Sequence, residues 1–281
     1  MIEWPGLAGD LGELVGMVER LAAEVVPPGA AHLDEQGEVP ADVLTALQET
    51  GLWGLGLPEV VGGGGADLLA VAIAVAELSA ASPAVGVLAA ASSLAATADP
   101  AAAGTLSAVA AGGLLAVADS RSPLVALDWS GRTVTLSAFR VECAGTACAA
   151  LLIGEDEATL VGPDQWHARL CGQPVRCTGL HGLGTCPVAW SGEPAPLPSL
   201  PPAALRARWC LLLAAAACGV IGAAAGQAAR YVSQRRQFGR PLISFGHVAS
   251  QVAGLQAAAT GSARAIHSLA VELSAAPPPQ Y

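Results

Sequence analysis

No lysine occurs anywhere in this chain. Arginine carries all 13 positive charges against 23 acidic residues, for a formal net charge of -10. The missing lysine reads as the imprint of a GC-rich coding sequence. The acidic balance, with no basic run and no aromatic residues interleaved with basic ones, excludes a general nucleic-acid surface. Aromatics are scarce as well, at 4% of a chain that is 53% hydrophobic, so the core must be built from Ala, Leu and Val, which suit close helix packing. Paired cysteines are also lacking. The seven cysteines (Cys143, Cys148, Cys171, Cys177, Cys186, Cys210 and Cys218) are odd in number, have no two-residue spacing and follow no signal peptide. A disulfide framework is therefore not expected, and a reducing cytoplasm is. His167, Cys171, Cys177, His181 and Cys186 lack the tight pairs of a zinc site; no metal is expected, and the cysteines read as small buried side chains. The apolar run Cys210–Gly226 falls short of the ~20 residues of a membrane span and is mostly Ala and Gly. It reads as a buried helix between packed neighbours, with no membrane.

What is present falls into three textures. Leu7, Leu11, Leu14, Val15, Val18, Leu21 and Val25 share one helical face, and Pro27-Pro28 stops that helix. Pro40 opens a second helix and Gly51 closes it. "LWGLGLPEVVGGGG" (52–65) is a turn-rich connector, and helices are expected at 67–81 and 83–97. After Gly112-Gly113 come short β-prone runs, "LLAVA", "RTVTL", "FRVEC" and "CAALLI", with "DWSGR" and "GEDEA" as polar turns. The proline-rich "SGEPAPLPSLPPAA" is a linker. A long helix is expected at 203–237, broken at Gly239 and Pro241 because proline disfavours helix at Arg240. Ser244 is expected to cap a last helix whose apolar face carries Phe245, Val248, Val252 and Leu255, ending before Pro277-Pro278-Pro279. The expected organisation is a helical domain (1–112), a small β-domain (113–198) and a second helical domain (199–281).

The least bland segment is "RYVSQRRQFGRPLISFGHV" (230–248). It resembles the RxQFGxPLxxFQ signature of the acyl-CoA dehydrogenases, and "LWGLGLPEVVGGGG" resembles that family's GLxGxxxPExxGG connector. The resemblance implies an acyl-CoA dehydrogenase-like α+β multidomain fold of helical, β and helical domains. It also implies FAD held between subunits and oxidation of an acyl-CoA between its α and β carbons, a glutamate taking the α-proton and flavin N5 the β-hydride. It further implies that Arg235 reaches the FAD pyrophosphate of the neighbouring subunit, that Phe238 and Gly239 shape the loop, and that Gln237 lies beside it. A guanidinium grips phosphate oxygens bidentately, which fits such a role. The bland alternative is an arginine favoured in the last turn of a helix by its dipole alone.

Three departures qualify the resemblance. The family's flavin-side "TEPxAGSD" loop corresponds here to "VADSRSPLVALDW", with Asp119 and Ser120 as its remnant and the glycine-serine part missing. The family's base position before RxQFG reads "LRARWC", with Arg206, Arg208 and Trp209; the other base position lies beyond Tyr281, and no Asp or Glu occurs between Glu193 and Glu272. The signature's "FQ" is Phe245-Gly246, and the family's last helices are expected to be absent. The reading is therefore a short, degenerate subunit with no catalytic residue of its own. Its place would be an actinobacterial heteromeric (α2β2) acyl-CoA dehydrogenase of the sterol side-chain-degrading type. The partner would be a second, full-length subunit holding the acyl-CoA, with FAD at the shared interface and an electron-transferring flavoprotein as acceptor. The alternatives are a scaffold for a dehydrogenase that binds no FAD, and a decayed enzyme with no partner.

Overall fold

The computed structural model describes residues 9–26, 35–95, 102–167, 169–177, 179–194 and 201–275, together with residues 2, 4, 5 and 33. In α1 (Asp10–Glu24) the buried Val15 and Val18 form the inner edge of the expected stripe, and Leu11, Leu14, Leu21 and Val25 pack beside them. Leu7 and Pro27-Pro28 lie outside the described residues. Pro40 precedes α2 (Ala41–Glu49), and Gly51, with φ 74°, ends it in the left-handed region that glycine adopts freely. The connector folds into two 3-10 turns, Leu52–Gly54 and Glu59–Val61. Asp67 caps α3 (Leu68–Ala81) by accepting from the Ala70 amide at 2.8 Å, and Pro83 takes the first position of α4 (Pro83–Leu94). Both helices are apolar on all sides and almost wholly buried, as core helices are. A further helix, α5 (Ala103–Ala110), was not foreseen, because "AGTLSAVA" carries no polar–apolar period to reveal it.

The strands fill the interval between α5 and the proline-rich segment. A three-stranded sheet has the order β1-β4-β5, from β1 (Leu115–Asp119), β4 (Ala149–Ile153) and β5 (Ala158–Val161); β1 and β4 are parallel. An antiparallel four-stranded sheet has the order β2-β3-β7-β6, from β2 (Val125–Ser130), β3 (Thr133–Val141), β6 (Leu170–Cys171) and β7 (Cys186–Gly192). A single turn, α6 (Pro163–Trp166), buries Trp166 completely. The expected runs "RTVTL" and "FRVEC" are one strand, β3, with a register shift between Ala138 and Val141. Asp128–Ser130, expected in a turn, end β2, because Asp128 pairs with Thr135 and Trp129 with Val134; the reversal is confined to Gly131-Arg132, with Gly131 at φ 64°. The proline-rich segment is shorter than expected. Ser191-Gly192 belong to β7 and Pro202 already lies in the next helix, while 195–200 lie outside the described residues.

That helix, α7 (Pro202–Gln234), spans about 50 Å at 1.5 Å per residue. It crosses α3 so closely that a Cβ on Gly219 would run into the carbonyl oxygen of Ala76. By length and composition α7 could cross a membrane, and 44% of its most apolar stretch is buried inside this fold. It ends at Gln234, earlier than expected. The stop is a two-residue hairpin, β8 (Arg236–Gln237) with β9 (Arg240–Pro241), whose central residues Phe238 and Gly239 both have positive φ, 52° and 80°. Ser244 does not cap α8 (Gly246–Ala275): its hydroxyl donates to the Pro241 carbonyl at 2.7 Å within a 3-10 turn. Nor is the expected face of α8 its buried one. Leu255 is 42% exposed, and Ala259, Ala263, Ile266 and Ala270 are the residues that enter the core. Small side chains win there because two long helices must approach closely. The chain thus has an α+β fold with helices, a β-layer and helices in that order, the organisation that the resemblance implies. Pro277–Pro279 lie outside the described residues.

One buried charge stands out in the helical core. Glu77 of α3 is 7% exposed, and Trp4 Nε1 donates to its Oε1 at 3.0 Å. Burial holds its carboxyl above the usual glutamate range; the Trp4 hydrogen bond opposes this and nearby Glu19 adds to it. The folded chain therefore keeps a proton that the unfolded chain has released. The stabilising contribution is complete below about pH 4 and is lost as pH rises through the raised value. Glu77→Gln keeps an oxygen for Trp4 and removes the titration. Thermal melts should show a higher Tm for the variant at pH 8 and little difference at pH 4; equal pH dependence in both proteins would refute the assignment.

Candidate functional site

The hairpin at the end of α7 carries every residue singled out as a cofactor contact. Arg235 is the last-turn residue: its amide bonds the Tyr231 carbonyl at 2.8 Å, and its own carbonyl accepts from the Leu242 amide at 2.8 Å. The backbone of the loop is thus fixed from both sides while residues 233–240 stay exposed. Arg236 is spent on the loop itself, donating to the Gly239 carbonyl at 2.7 Å. Arg240 lies over the Phe245 ring at 4.0 Å, and Phe245 meets Phe238 edge-on at 6.3 Å. Phe238 is 91% exposed and held at positive φ, a conformation costly for a side chain with a Cβ. Among the described residues the Arg235 guanidinium has no hydrogen-bond or ion-pair partner. The hairpin presents one uncommitted cation on a braced turn, with Gln237 and Phe238 beside it.

The remnant of the flavin-side loop, Asp119-Ser120, is in a different condition. It ends β1, where the Ser120 amide bonds the Ile153 carbonyl at 2.9 Å and continues the pairing with β4. Into this corner runs the side chain of Arg206 from the first turns of α7. Its Nε donates to Asp119 Oδ1 at 2.9 Å. Its Nη2 reaches Ser120 Oγ and the Ile153 carbonyl, both at 3.3 Å, and the Gly154 carbonyl. Arg206 is 5% exposed. A buried guanidinium needs this many acceptors to offset its lost hydration.

Set beside known proteins, residues 10–106 match the family model for the acyl-CoA dehydrogenase N-terminal domain, and residues 207–281 match that for the C-terminal domain. The chain belongs to the acyl-CoA dehydrogenase family. The "Probable acyl-CoA dehydrogenase YngJ" of Bacillus subtilis is 39% identical over 62 residues, 22% of this chain and 16% of that protein. The chain thus matches less than a fifth of that relative's length. Two solved structures share the fold. Butyryl-CoA dehydrogenase from Megasphaera elsdenii has a TM-score of 0.78 at 17% identity, covering 95% of this chain and 80% of its own. A glutaryl-CoA dehydrogenase from Mycobacterium smegmatis, solved in complex with FADH2, has a TM-score of 0.79 at 14% identity, covering 96% and 77%.

Within this acyl-CoA dehydrogenase frame, the segment expected to hold a base holds none. Arg206 is the clamp just described. Arg208 is half-buried, its guanidinium pushed below the usual arginine range by desolvation, and it lines a small cavity of about 40 Å3 with Ser93 and Leu212. Trp209 packs between the two parts of the core. Glu272 is exposed at the edge of an apolar groove between α7 and α8. Among the described residues no group of three or more His, Cys, Asp or Glu side chains could hold a metal. All seven cysteines are free, and Cys171 and Cys210 are exposed, contrary to the expectation of buried thiols.

Arg206 is the residue that sequence reasoning passed over. "LRARWC" marked it only as something other than an acid, and nothing local pairs it with Asp119, 87 positions earlier. Arg206→Ala should leave a partly buried carboxylate and two carbonyls without their donor. The expected loss is about 3 kcal/mol, the low end for a broken buried pair because Asp119 still reaches water. Urea unfolding should show it as a lower midpoint with an unchanged slope; a loss under about 0.5 kcal/mol would mean that water replaces the guanidinium freely.

Proposed function

We propose that this chain is the non-catalytic subunit of a heteromeric, FAD-dependent acyl-CoA dehydrogenase, and that its Arg235 hairpin binds the pyrophosphate of the FAD held by an unlike, full-length partner. The observation that carries the reading is the contrast between its two arginines. Arg206 is buried and committed through Nε and Nη2 in the corner where the family's flavin-side loop begins. Arg235 is exposed, braced and unspent on a turn with the family's signature. A guanidinium free of carboxylates and fixed from the backbone is suited to a bidentate grip on phosphate oxygens. The charge distribution agrees: residues 201–275 hold seven of the 13 arginines and only one acidic residue, Glu272. Gln237, Phe238 and Gly239 would shape the same contact.

When bound, FAD supplies a ring that accepts hydride. This chain's part is to anchor the dinucleotide through Arg235 and to leave proton abstraction to the partner, since positions 205–210 carry no acid. In the Asp119-Ser120 corner Asp119 Oδ1 and Ser120 Oγ already accept from Arg206, so the ring would rest against the partner. The finer reading makes the assembly α2β2 and cytoplasmic, with the acyl-CoA, a steroid side-chain thioester, on the partner and an electron-transferring flavoprotein as acceptor. The divisions at 112/113 and 198/199 would then mark the helical, β and helical domains. A second reading is a scaffold that binds no FAD. It draws on the apolar groove of about 760 Å3 between α7 and α8, lined by Leu211, Ile221, Ile266 and Leu269, which is a surface suited to protein contact alone.

Purified alone, the chain should be colourless and inactive on any acyl-CoA; with its partner it should form a yellow complex of equal copies. Arg235→Ala should leave that complex assembled and lower its FAD affinity about ten- to a hundredfold, the loss of roughly 1.5–3 kcal/mol for a charged hydrogen bond. Arg235→Lys should recover part of it, and Arg264→Ala, an exposed arginine on α8, none of the loss. Flavin titration of the variant complexes decides. Unchanged FAD affinity in Arg235→Ala would favour the scaffold, and a flavinated, active preparation of this chain alone would overturn both readings.

A further inference from the structure

Away from the hairpin, on the edge of the four-stranded sheet, two cysteines share one face of a strand pair beside an arginine that pairs with no carboxylate among the described residues. Arg169 is pinned by three carbonyls: Nε donates to Ala144 at 2.7 Å, Nη1 to Trp166 at 2.9 Å and Nη2 to Gly145 at 2.8 Å. Its guanidinium carbon lies 5.1 Å from the centre of the Trp166 ring. Nε also donates to Cys171 Sγ at 3.2 Å, the same sulfur whose thiol points at the Ala144 carbonyl, 3.8 Å away. Among the described residues no carboxylate pairs with this guanidinium, and its Nε is shared between the Ala144 carbonyl and the Cys171 sulfur. Cys171 is exposed. Cys186 is buried. In the antiparallel register Cys171 faces Val188, two residues from Cys186 on the same strand, so both sulfurs leave one face of the sheet. Cys143, Cys171 and Cys186 also line a common cavity of about 260 Å3 with Leu183 and Glu38.

We propose that Cys171 is an oxidation site for small hydroperoxides, supported by Arg169, and that Cys186 is its resolving thiol. The Cys171 sulfur attacks one peroxide oxygen and the O–O bond breaks. With hydrogen peroxide one oxygen leaves as water and the other stays on sulfur as a sulfenic acid, the sulfur having lost two electrons. Arg169 faces the negative charge carried by the attacking sulfur. The Cys186 sulfur then attacks the sulfenic sulfur, its proton leaves with the hydroxyl as a second water, and a Cys171–Cys186 disulfide remains. A diagonal cross-strand pair stands about 7–8 Å apart, slightly beyond the usual disulfide span, so closure draws β6 toward β7. Strand β6 can follow, being two residues long, exposed and held by two register pairs. Burial pushes the Cys186 thiol up to about 11, with the Cys171 sulfur adding to the effect, so it waits as a thiol for its partner. Cys143 is raised further by burial and donates to the Leu115 carbonyl at 3.2 Å, which keeps it out of the exchange.

The test is mass spectrometry of the full chain after hydrogen peroxide treatment, with remaining thiols alkylated. Cys171 and Cys186 should disappear together into one internal disulfide, and Cys171 should react at least about tenfold faster than Cys210, which is also exposed but has no guanidinium bonded to its sulfur among the described residues. Cys186→Ser should stop at a sulfenic acid on Cys171 that dimedone captures. Cys171→Ser should leave Cys186 reduced. Arg169→Gln should slow Cys171 about tenfold and leave Cys210 unchanged. Cys210 reacting as fast as Cys171, Cys171 passing to sulfinic acid while Cys186 stays free, or an unchanged Cys171 rate in Arg169→Gln would each overturn the proposal.

Discussion

The fold depends on a charge drawn almost wholly out of water. Arg206, near the start of α7, is anchored by Asp119, Ser120 and the carbonyls ending β4, so one side chain ties the C-terminal helices to the sheet. A guanidinium at 5% exposure would be severely destabilising without these acceptors. Their positions in turn require that β1 and β4 run parallel and end together, and that α7 begins against that end. Once α7 is so placed, its middle lies across α3, where Gly219 lets the two backbones approach to contact.

This arrangement explains how a chain poor in aromatics still builds a core. Alanine and glycine fill little volume, so helices must come close before dispersion contacts accumulate. α3 and α4 are buried all round, and α8 enters through Ala259, Ala263, Ile266 and Ala270. The six tryptophans supply the bulk where layers meet: Trp53 and Trp166 are fully buried, and Trp209 bridges the two hydrophobic clusters. At the far end of α7 the same helix delivers the opposite condition, a hairpin whose strained turn leaves Arg235 in water. One helix thus carries a structural arginine at its start and an uncommitted one at its end.

Much of this was legible beforehand because it rests on local rules. Pro40 and Gly51 bracket α2, the apolar run at 67–81 gives α3, and the texture change after Gly113 marks the first strand; each follows from backbone preference or residue type over a short stretch. The misreadings share a cause. "DWS" looked like a turn because Asp and Ser favour turns, yet cross-strand pairing with Thr133, Val134 and Thr135 held it in β2. Ser244 looked like a cap, yet the neighbouring 3-10 turn claimed its hydroxyl. Leu255 looked like a core residue by hydrophobicity, yet α8 packs through its alanines.

By itself the sequence determined the order of helices and strands, the signature around Arg235 and the absence of an acid in "LRARWC". All three are properties of short stretches, where residue type and spacing are enough. Only the tertiary structure decided which arginine is spent and which is free, and which of seven cysteines share a cavity. Arg206 meets Asp119 across 87 positions, and the pairing of two strands brings Cys171 and Cys186 to one cavity. Such meetings depend on how long-range pairing folds the chain back on itself, and no local propensity encodes them.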